Sequence, residues 1–423
     1  MKKKKVAFLV ALAFLLPMTA CCEPDSPNIT SSQNKTVLSI LYGQSTSDPG
    51  LEDVLSEKIN KDFHNVELEW ENVDWGDHFA QEMQAKIASS EMPDLIIGKN
   101  QDVEAYQPSG YLAPFGKELT DKINNVGLID ATIGGKTYGL PYNMAYQGVL
   151  YNKNLFWRYD LKVPNNQTQM KALISRLKEV GITPFASHFQ ENWYAANITM
   201  QFATNQVFAK DPAWGKEFRA NKRSFTDSKE FQQCLMQVQQ IFQNSWADAL
   251  TISQAESDVR FAKEQAAMYV TGTWSLQSLQ AVNPSMPLGI FPYPSPDGGA
   301  KLLFEPNLTF MKSSKSPNSA LVDKILLDIL SDKELAQTAC AFTKTKSLLK
   351  NANIDDINEL REDINSYTSS GRILDVTAGN SQLVWDFQNS CSGMLYKWLN
   401  GTERFSMVLQ YADKNRAYST SLY

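Results

Sequence analysis

Residues 261–276 read FAKEQAAMYVTGTWSL, a charged start followed by a short apolar run. The run at 266–270 has the length and composition of a buried strand, and it stops at a glycine, Gly272. A tryptophan, Trp274, follows two residues later. The largest side chain of the set therefore stands just where the strand is expected to end, and its role depends on the fold around it.

Similar short strands recur near the amino terminus. VLSILY at 37–42, VELEWENV at 66–73 and DLIIG at 94–98 are strand-like, and segments with apolar residues at helical spacing separate them. This β-α-β-α-β order predicts a parallel sheet covered by helices. A second α/β region is expected after residue 150, and the carboxyl-terminal region is expected to be helical.

The amino terminus has the pattern of an export signal. Lys2 to Lys5 precede an apolar stretch at 6–16, which is too short to span a bilayer, and MTAC at 18–21 resembles a bacterial lipobox. We therefore expect residues 1–20 to be a signal peptide, Cys21 to be lipidated, and 21–36 to form a flexible tether. The alternative is an ordinary cleaved signal followed by two incidental cysteines.

Composition narrows the class of function. Removal of residues 1–20 takes away four lysines and changes the formal net charge from −6 to −10, which argues against nucleic-acid binding. The chain length suggests two domains. The remaining cysteines, Cys234, Cys340 and Cys391, are widely scattered and do not suggest a disulfide framework.

Motifs for catalysis or metal binding are not evident. GGKT at 134–137 has Asp130 where a phosphate-binding loop needs its first glycine, so a turn between two strands is expected. The three histidines show no metal-ligand spacing. No metal, cofactor or enzymatic activity is therefore expected, although composition does not exclude a carboxylate pair of a glycoside hydrolase.

Aromatic residues occur beside amides and carboxylates at several expected loops. PYNMAYQG contains Tyr142 and Asn143, and FQENWY contains Glu191 and Trp193. Flat rings next to such groups suit a neutral, hydroxyl-rich ligand, because the ligand ring packs on the aromatic face while the polar groups bind its hydroxyls. Core packing is the alternative for each aromatic residue taken alone.

These stretches resemble the family 1 extracellular solute-binding proteins of ABC importers, the group that contains the maltose-binding proteins. The matching segments follow the family order: PDLIIG (93–98), SGYLAPF (109–115), IGGKTYGLPYNMAYQGVLYNKNLF (133–156), FAKEQAAMYVTGTW (261–274) and ILSDKELAQ (329–337). The chain departs from the family pattern at Glu264, where glycine is common, and from the maltose type at Gly98 and Gln101.

The resemblance implies a two-lobed α/β fold of the periplasmic-binding-protein type II, with a central cleft and three crossovers near residues 147, 289 and 331. Lobe one would comprise 37–146 and 289–331. Lobe two would comprise 147–288 and 332–423. The lobes would close over a ligand by hinge bending.

The resemblance also implies ligand-binding residues. If 266–270 is a strand of lobe two, Thr273 caps the next helix, Gly272 turns the indole outward, and Trp274 becomes the first stacking residue. Glu191 and Trp193 fall where the maltose-binding group has a ligand-binding glutamate and aromatic residue. The further candidates are Gln44, Ser45, Asn100, Gln101, Asn143 and Tyr142. Trp385 and Trp398 are equally compatible with ligand contact and core packing.

The implied function is capture of a carbohydrate, most simply an oligosaccharide, by an exported, lipid-anchored monomer that delivers it to a membrane permease. Three alternatives remain open on the residues. The same fold could bind a polyamine or peptide through cation–π contacts. A secreted carbohydrate-active enzyme, or a surface adhesin for a glycan, would use similar aromatic surfaces.

Overall fold

The computed structural model describes residues 35–44, 50–74, 77–354 and 357–416. The expected signal peptide, Cys21 and the tether up to residue 34 lie outside the described residues, and so does Ser45. Gln44 is described only through its backbone, as the last residue of a strand.

The strands follow one another along the whole described chain. They are β1 (Thr36–Gln44), β2 (Val66–Asp74), β3 (Leu95–Gly98), β4 (Thr132–Ile133), β5 (Lys136–Thr137), β6 (Leu140–Pro141), β7 (Asn143–Asn152), β8 (Thr183–Ala186), β9 (Ala266–Gly272), β10 (Leu288–Phe291), β11 (Leu302–Pro306), β12 (Thr309–Lys312), β13 (Lys346–Ser347) and β14 (Ile373–Asp375).

Helices separate most of the strands. They are α1 (Leu51–Asp62), α2 (Asp77–Ser89), α3 (Asn100–Tyr106), α4 (Lys117–Thr120), α5 (Lys153–Arg158), α6 (Gln167–Glu179), α7 (Asn192–Ala203), α8 (Trp214–Arg219), α9 (Lys229–Gln243), α10 (Gln254–Ala262), α11 (Leu276–Val282), α12 (Ser319–Ser331), α13 (Lys333–Thr343), α14 (Arg361–Ser369), α15 (Ser381–Leu399) and α16 (Phe405–Lys414). A π-helical turn continues α7, and short 3₁₀ turns precede α11 and α14.

The first sheet has the strand order β2-β1-β3-β12-β6. Strands β2 and β3 pair with β1 in parallel, and β12 pairs with β3 in antiparallel orientation. Helix α1 buries Leu51, Leu55 and Ile59, which lie on one helical face. The β-α-β-α-β unit expected from the sequence is therefore confirmed. We call the part of the chain around this sheet lobe one.

The second sheet has the order β14-β11-β7-β9-β8, and β10 and β13 also pair with β7. All ten residues of β7 and all seven of β9 are buried. Strands that are buried along their whole length are typical of sheets covered on both faces. The strand expected at 266–270 is thus a central strand of this sheet, and we call the surrounding part of the chain lobe two.

The crossovers between the sheets differ from the expected positions. The chain leaves lobe one between β6 and β7, close to the expected residue 147. Strands β10 and β11 still pair with β7, so the return falls between Pro306 and Thr309 and not near Gly289. Helix α13 packs on α1 of lobe one, which moves the third crossing beyond residue 331. Short apolar strands do not reveal in the sequence which sheet they will join.

The GGKT segment forms the expected turn. Strands β4 and β5 pair in antiparallel orientation on either side of Gly134 and Gly135. Both glycines have positive φ, of 59° and 77°, as a tight two-residue hairpin turn requires. A phosphate-binding loop is therefore not present at this position.

Candidate functional site

Trp274 lies at the carboxyl end of β9, in the 3₁₀ turn Thr273–Ser275. A Cβ atom on Gly272 would lie 2.1 Å from the indole ring, so the indole packs directly against the backbone of that glycine. Gly272 has an extended backbone, with φ −131°, so its role is to leave space for the indole and not to permit a sharp turn. The Nε1 atom of Trp274 is buried and has no partner among the described residues.

The sequence suggested that Thr273 caps the following helix, but it does not. Its Oγ1 atom accepts a hydrogen bond of 3.3 Å from the backbone N–H of Tyr146 on the neighbouring strand β7. This contact ties the turn that carries the indole to the central strand of lobe two. The orientation of the turn is therefore set by the sheet.

Gln147 lies beside the indole. It is directly opposite Gly272 in the antiparallel pair of β7 and β9, so its side chain points to the face on which the indole packs. Leu303 is opposite Gln147 on the other side, and Glu305, two residues further along β11, shares that face. The Nε2 atom of Gln147 donates a hydrogen bond to Glu305 Oε2. The other amide atom, Oε1, is buried without a partner in the described chain.

Lys99 connects lobe one to the group formed by Trp274, Gln147 and Glu305. It follows β3, and its ammonium group donates a hydrogen bond to Oδ1 of Asn307, two residues after Glu305. Burial raises the pKa of the Glu305 carboxyl to about 7, and the positive charge of Lys99 and the hydrogen bond from Gln147 oppose that rise. The end of β3 and the face of the second sheet therefore meet at Glu305.

Gln147 and Glu305 were not among the site residues predicted from the sequence. The signal for Glu305 was present, because LLFEP places one carboxylate in an otherwise apolar strand. Gln147 belongs to the PYNMAYQG stretch of aromatic and amide residues, but it was singled out only as the place where the chain leaves lobe one.

Asn100 and Gln101 begin α3, immediately after Lys99. Asn100 is 4 % exposed, and neither its Oδ1 nor its Nδ2 has a partner in the part of the chain that the structure describes. Oε1 of Gln101 is likewise unpartnered. Both expected positions therefore carry unused hydrogen-bonding groups at the carboxyl end of a lobe-one strand.

Glu191 has partners within the protein. Its Oε1 accepts a 2.8 Å hydrogen bond from the backbone N–H of Gln254, the first residue of α10, and its Oε2 accepts one from His188 Nδ1. Burial lowers the pKa of His188, whose ring lies 5.2 Å from that of Trp193. In this structure Glu191 anchors a helix terminus, and Trp193 is half-buried against the histidine.

Asn143 and Tyr142 lie at the first crossover and are fully buried. Oδ1 of Asn143 accepts a 3.0 Å hydrogen bond from Leu308 N–H, and its Nδ2 donates one of 3.0 Å to Thr343 Oγ1. The Tyr142 ring packs edge-on against Phe310 in the first sheet. Asn143 thus joins the segments of all three crossovers, and both residues belong to the hinge and core.

Residues of the carboxyl-terminal region contact lobe one. Ser381, at the start of α15, donates a hydrogen bond to Glu104 on α3, and Thr377 Oγ1 donates one of 3.1 Å to Asp130 Oδ2. Trp385 lies one turn after Ser381, with its Nε1 buried and unpartnered in the described structure. Trp398 packs edge-on against Phe405, in the core.

Metal binding finds no support in the described residues. They contain no group of three or more His, Cys, Asp or Glu side chains placed to hold an ion. Within the same ranges, no helix combines the length and the apolar character needed to cross a membrane. Cys234, Cys340 and Cys391 are buried and are not joined in disulfides within the described residues.

Two α/β lobes with three crossovers and a cleft at the carboxyl ends of the strands define the type II solute-binding fold. The chain belongs to the family of bacterial extracellular solute-binding proteins, whose pattern matches residues 42–334. The resemblance seen in the sequence is thereby confirmed.

Two named sugar-binding proteins are similar to this chain in sequence. The multiple sugar-binding protein of Streptococcus mutans is 24% identical over 308 residues, which are 70% of this chain and 71% of the relative. The melibiose/raffinose/stachyose-binding protein MelE of Bacillus subtilis is 26% identical and covers 70% of this chain and 68% of its own length.

Solved structures share the fold. RafE in complex with raffinose superposes with a TM-score of 0.75 at 15% identity, over 92% of this chain and 100% of that chain. A chitin oligosaccharide binding protein superposes with a TM-score of 0.76 at 18% identity, over 90% and 98% of the two chains. At these identities the likeness establishes the fold and its two lobes.

Proposed function

We propose that this protein captures an oligosaccharide in the cleft between its lobes and delivers it to a membrane permease of the ABC type. The observation that carries the proposal is the indole of Trp274, which packs against Gly272 at the carboxyl end of a central strand and whose Nε1 has no partner among the described residues. A flat ring held in this way offers one face for a sugar ring and one donor for a hydroxyl.

Groups from lobe one complement this surface. Asn100 and Gln101 offer buried amide atoms that have no partner within the described chain, and such groups cost free energy unless something bonds to them. Sugar hydroxyls donate and accept, so they satisfy both kinds of amide atom. Gln44, Ser45 and Trp193 remain proposed contacts, and Trp385 joins them because its Nε1 also has no partner in the part of the chain that the structure describes.

The sugar class is supported by the relatives. Two of them are sugar-binding proteins by name, and raffinose occupies the structural neighbour RafE. We propose neutral α-galactoside oligosaccharides such as raffinose and stachyose as the first ligands to test. The proposal includes an exported monomer, anchored through lipid on Cys21, that performs no bond chemistry.

A polyamine or cationic peptide is the second candidate, because acidic groups face each other across the lobes. Burial raises the pKa of Asp130, and the neighbouring carboxylates of Asp375 and Glu104 raise it further. A cation would relieve this repulsion. Binding that weakens steeply with added salt would favour this ligand class, since stacking on a neutral sugar is nearly independent of salt.

The test is calorimetric titration of the tether-free protein with raffinose, stachyose, a chitin oligosaccharide and spermidine. Trp274→Ala is expected to weaken binding of the preferred sugar about 30-fold, from the loss of roughly 2 kcal/mol of stacking and packing. Trp157→Ala is the matched control, because that indole is 86% exposed on α5 and should leave the affinity unchanged.

Three outcomes contradict the proposal. If spermidine binds and none of the sugars does, the ligand is a cation and not a sugar. Cleavage of an oligosaccharide would show an enzyme, and equal affinities for the wild type and Trp274→Ala would remove the indole from the site.

A further inference from the structure

Glu305 and Gln147 form a polar pair on the second sheet. They lie on adjacent strands, β11 and β7, and the amide Nε2 donates to the carboxylate Oε2. Buried charges and amides are usually fully bonded. Here Gln147 is 0% exposed, yet its Oε1 has no partner in the described part of the chain.

The position of the pair relative to Trp274 follows from the strand register. Gln147 and Gly272 are direct partners, and directly opposite residues of an antiparallel pair have Cβ positions about 5 Å apart on one face. The indole occupies the Cβ position of Gly272. The Gln147 amide therefore borders the indole, and Glu305 extends the polar edge along the same face.

Of the two residues, Glu305 is the one that is partly exposed, and Gln147 lies buried directly behind it. Glu305 is only half-buried, whereas the hinge amide Asn143 is fully enclosed. Lys99 approaches from lobe one, and its positive charge acts on the Glu305 carboxyl, so the pair lies where the lobes meet. Asp375 of β14 also acts on Glu305, and its negative charge raises the pKa of the Glu305 carboxyl, whereas Lys99 lowers it.

We propose that Glu305 and Gln147 determine specificity by accepting hydrogen bonds from a hydroxyl of the sugar unit stacked on Trp274. This inference rests on the proposed sugar-binding function and deepens it. The Gln147 Nε2–Glu305 contact fixes the carboxylate in the sheet, which leaves the amide Oε1 and the second carboxylate oxygen as acceptors. A ligand unit must then present a hydroxyl donor beside its stacked face, and a unit that lacks it leaves two acceptors unsatisfied.

The test titrates wild type, Glu305→Gln and Glu179→Gln with raffinose and with a set of its monodeoxy analogues. Glu305→Gln keeps the shape and one acceptor oxygen but removes the charge, and is expected to weaken raffinose binding about ten-fold. Glu179→Gln makes the same chemical change at the exposed end of α6 in lobe two and is expected to have no effect.

The analogues make the assignment specific. For one deoxy position, the loss caused by Glu305→Gln should disappear, because the hydroxyl that the carboxylate binds is already absent. Thermal unfolding without ligand should show that Glu305→Gln remains folded. Should that variant unfold, Gln147→Met, which removes the unpartnered Oε1, takes its place, with the same expected ten-fold loss.

Each outcome has one meaning. Tight wild-type binding with the same affinity in Glu305→Gln overturns this inference and leaves the proposed function standing. A loss that is equal for raffinose and every deoxy analogue also overturns it, since the effect would then be indirect. Absence of binding of any tested sugar to the wild type overturns the proposed function, and this inference with it.

Discussion

Two buried amides, four residues apart on β7, differ in how they are bonded. Asn143, at the start of the strand, has partners for both amide atoms, one in each of the other crossover segments. Gln147 is equally buried, but its Oε1 has no partner among the described residues. An unsatisfied buried acceptor costs about 1–3 kcal/mol. The first amide therefore holds the architecture together, and the second is suited to a ligand.

The same contrast separates two glutamates. Glu191 bonds to a helix terminus and to a buried histidine, so its carboxylate is already used within lobe two. Glu305 bonds to one amide and faces lobe one. The residue type is the same in the two cases, and the hydrogen-bond partners distinguish a structural carboxylate from a candidate ligand acceptor.

The largest effect is expected for Gly272→Ala, which tests whether the indole of Trp274 belongs to the ligand site. The new methyl group would lie 2.1 Å from the indole ring, and no contact that short is possible. We expect the indole to leave its position and raffinose affinity to fall about 30-fold, close to 2 kcal/mol, as for Trp274→Ala. Calorimetric titration measures the loss, and intrinsic tryptophan fluorescence reports the displaced indole.

Gly393→Ala is the control for that substitution. Gly393 lies inside α15, and a Cβ there meets nothing within 4 Å. Alanine in a helix interior should stabilise the protein by up to about 1 kcal/mol without changing affinity. Unchanged sugar affinity in Gly272→Ala would show that the indole is not part of the site.

Much of the fold was predictable because the relevant signals are local. Alternating and continuous apolar runs indicated β1, β2, β3 and β9, and two glycines indicated the turn of the β4–β5 hairpin. The second and third crossovers were misplaced. Strands β10 and β11 are short and almost entirely apolar, so their sequence gives no information about which sheet they join.

The site was predictable only in part. Trp274, Asn100 and Gln101 were predicted from their positions after strands, and each carries a buried polar atom that has no partner among the described residues. The partners of Asn143 and Glu191 lie far away in the sequence, on residues such as Thr343 and Gln254, so no local pattern could show that these side chains were already bonded. The importance of Gln147 likewise depends on a cross-strand register.

Asn143→Ala tests the bonded member of the amide pair. It removes the acceptor for Leu308 N–H and the donor to Thr343, and leaves both groups buried. We expect the free energy of unfolding to fall by about 2 kcal/mol. Urea denaturation measures this, with Asn192→Ala, at an exposed position on α7, as the unaffected control. Unchanged stability would mean that Asn143 does not hold the crossovers together.

Glu191→Gln gives the smallest effect and separates the two glutamates. The amide loses the charge-assisted bonds to the α10 terminus and to His188, so stability should fall by about 1 kcal/mol. Raffinose affinity should stay within about two-fold, in contrast to the ten-fold loss expected for Glu305→Gln. Denaturation and titration of the same samples check both values. A large loss of affinity at unchanged stability would return Glu191 to the ligand site and show that a carboxylate bonded within lobe two can still exchange its partners for a sugar hydroxyl.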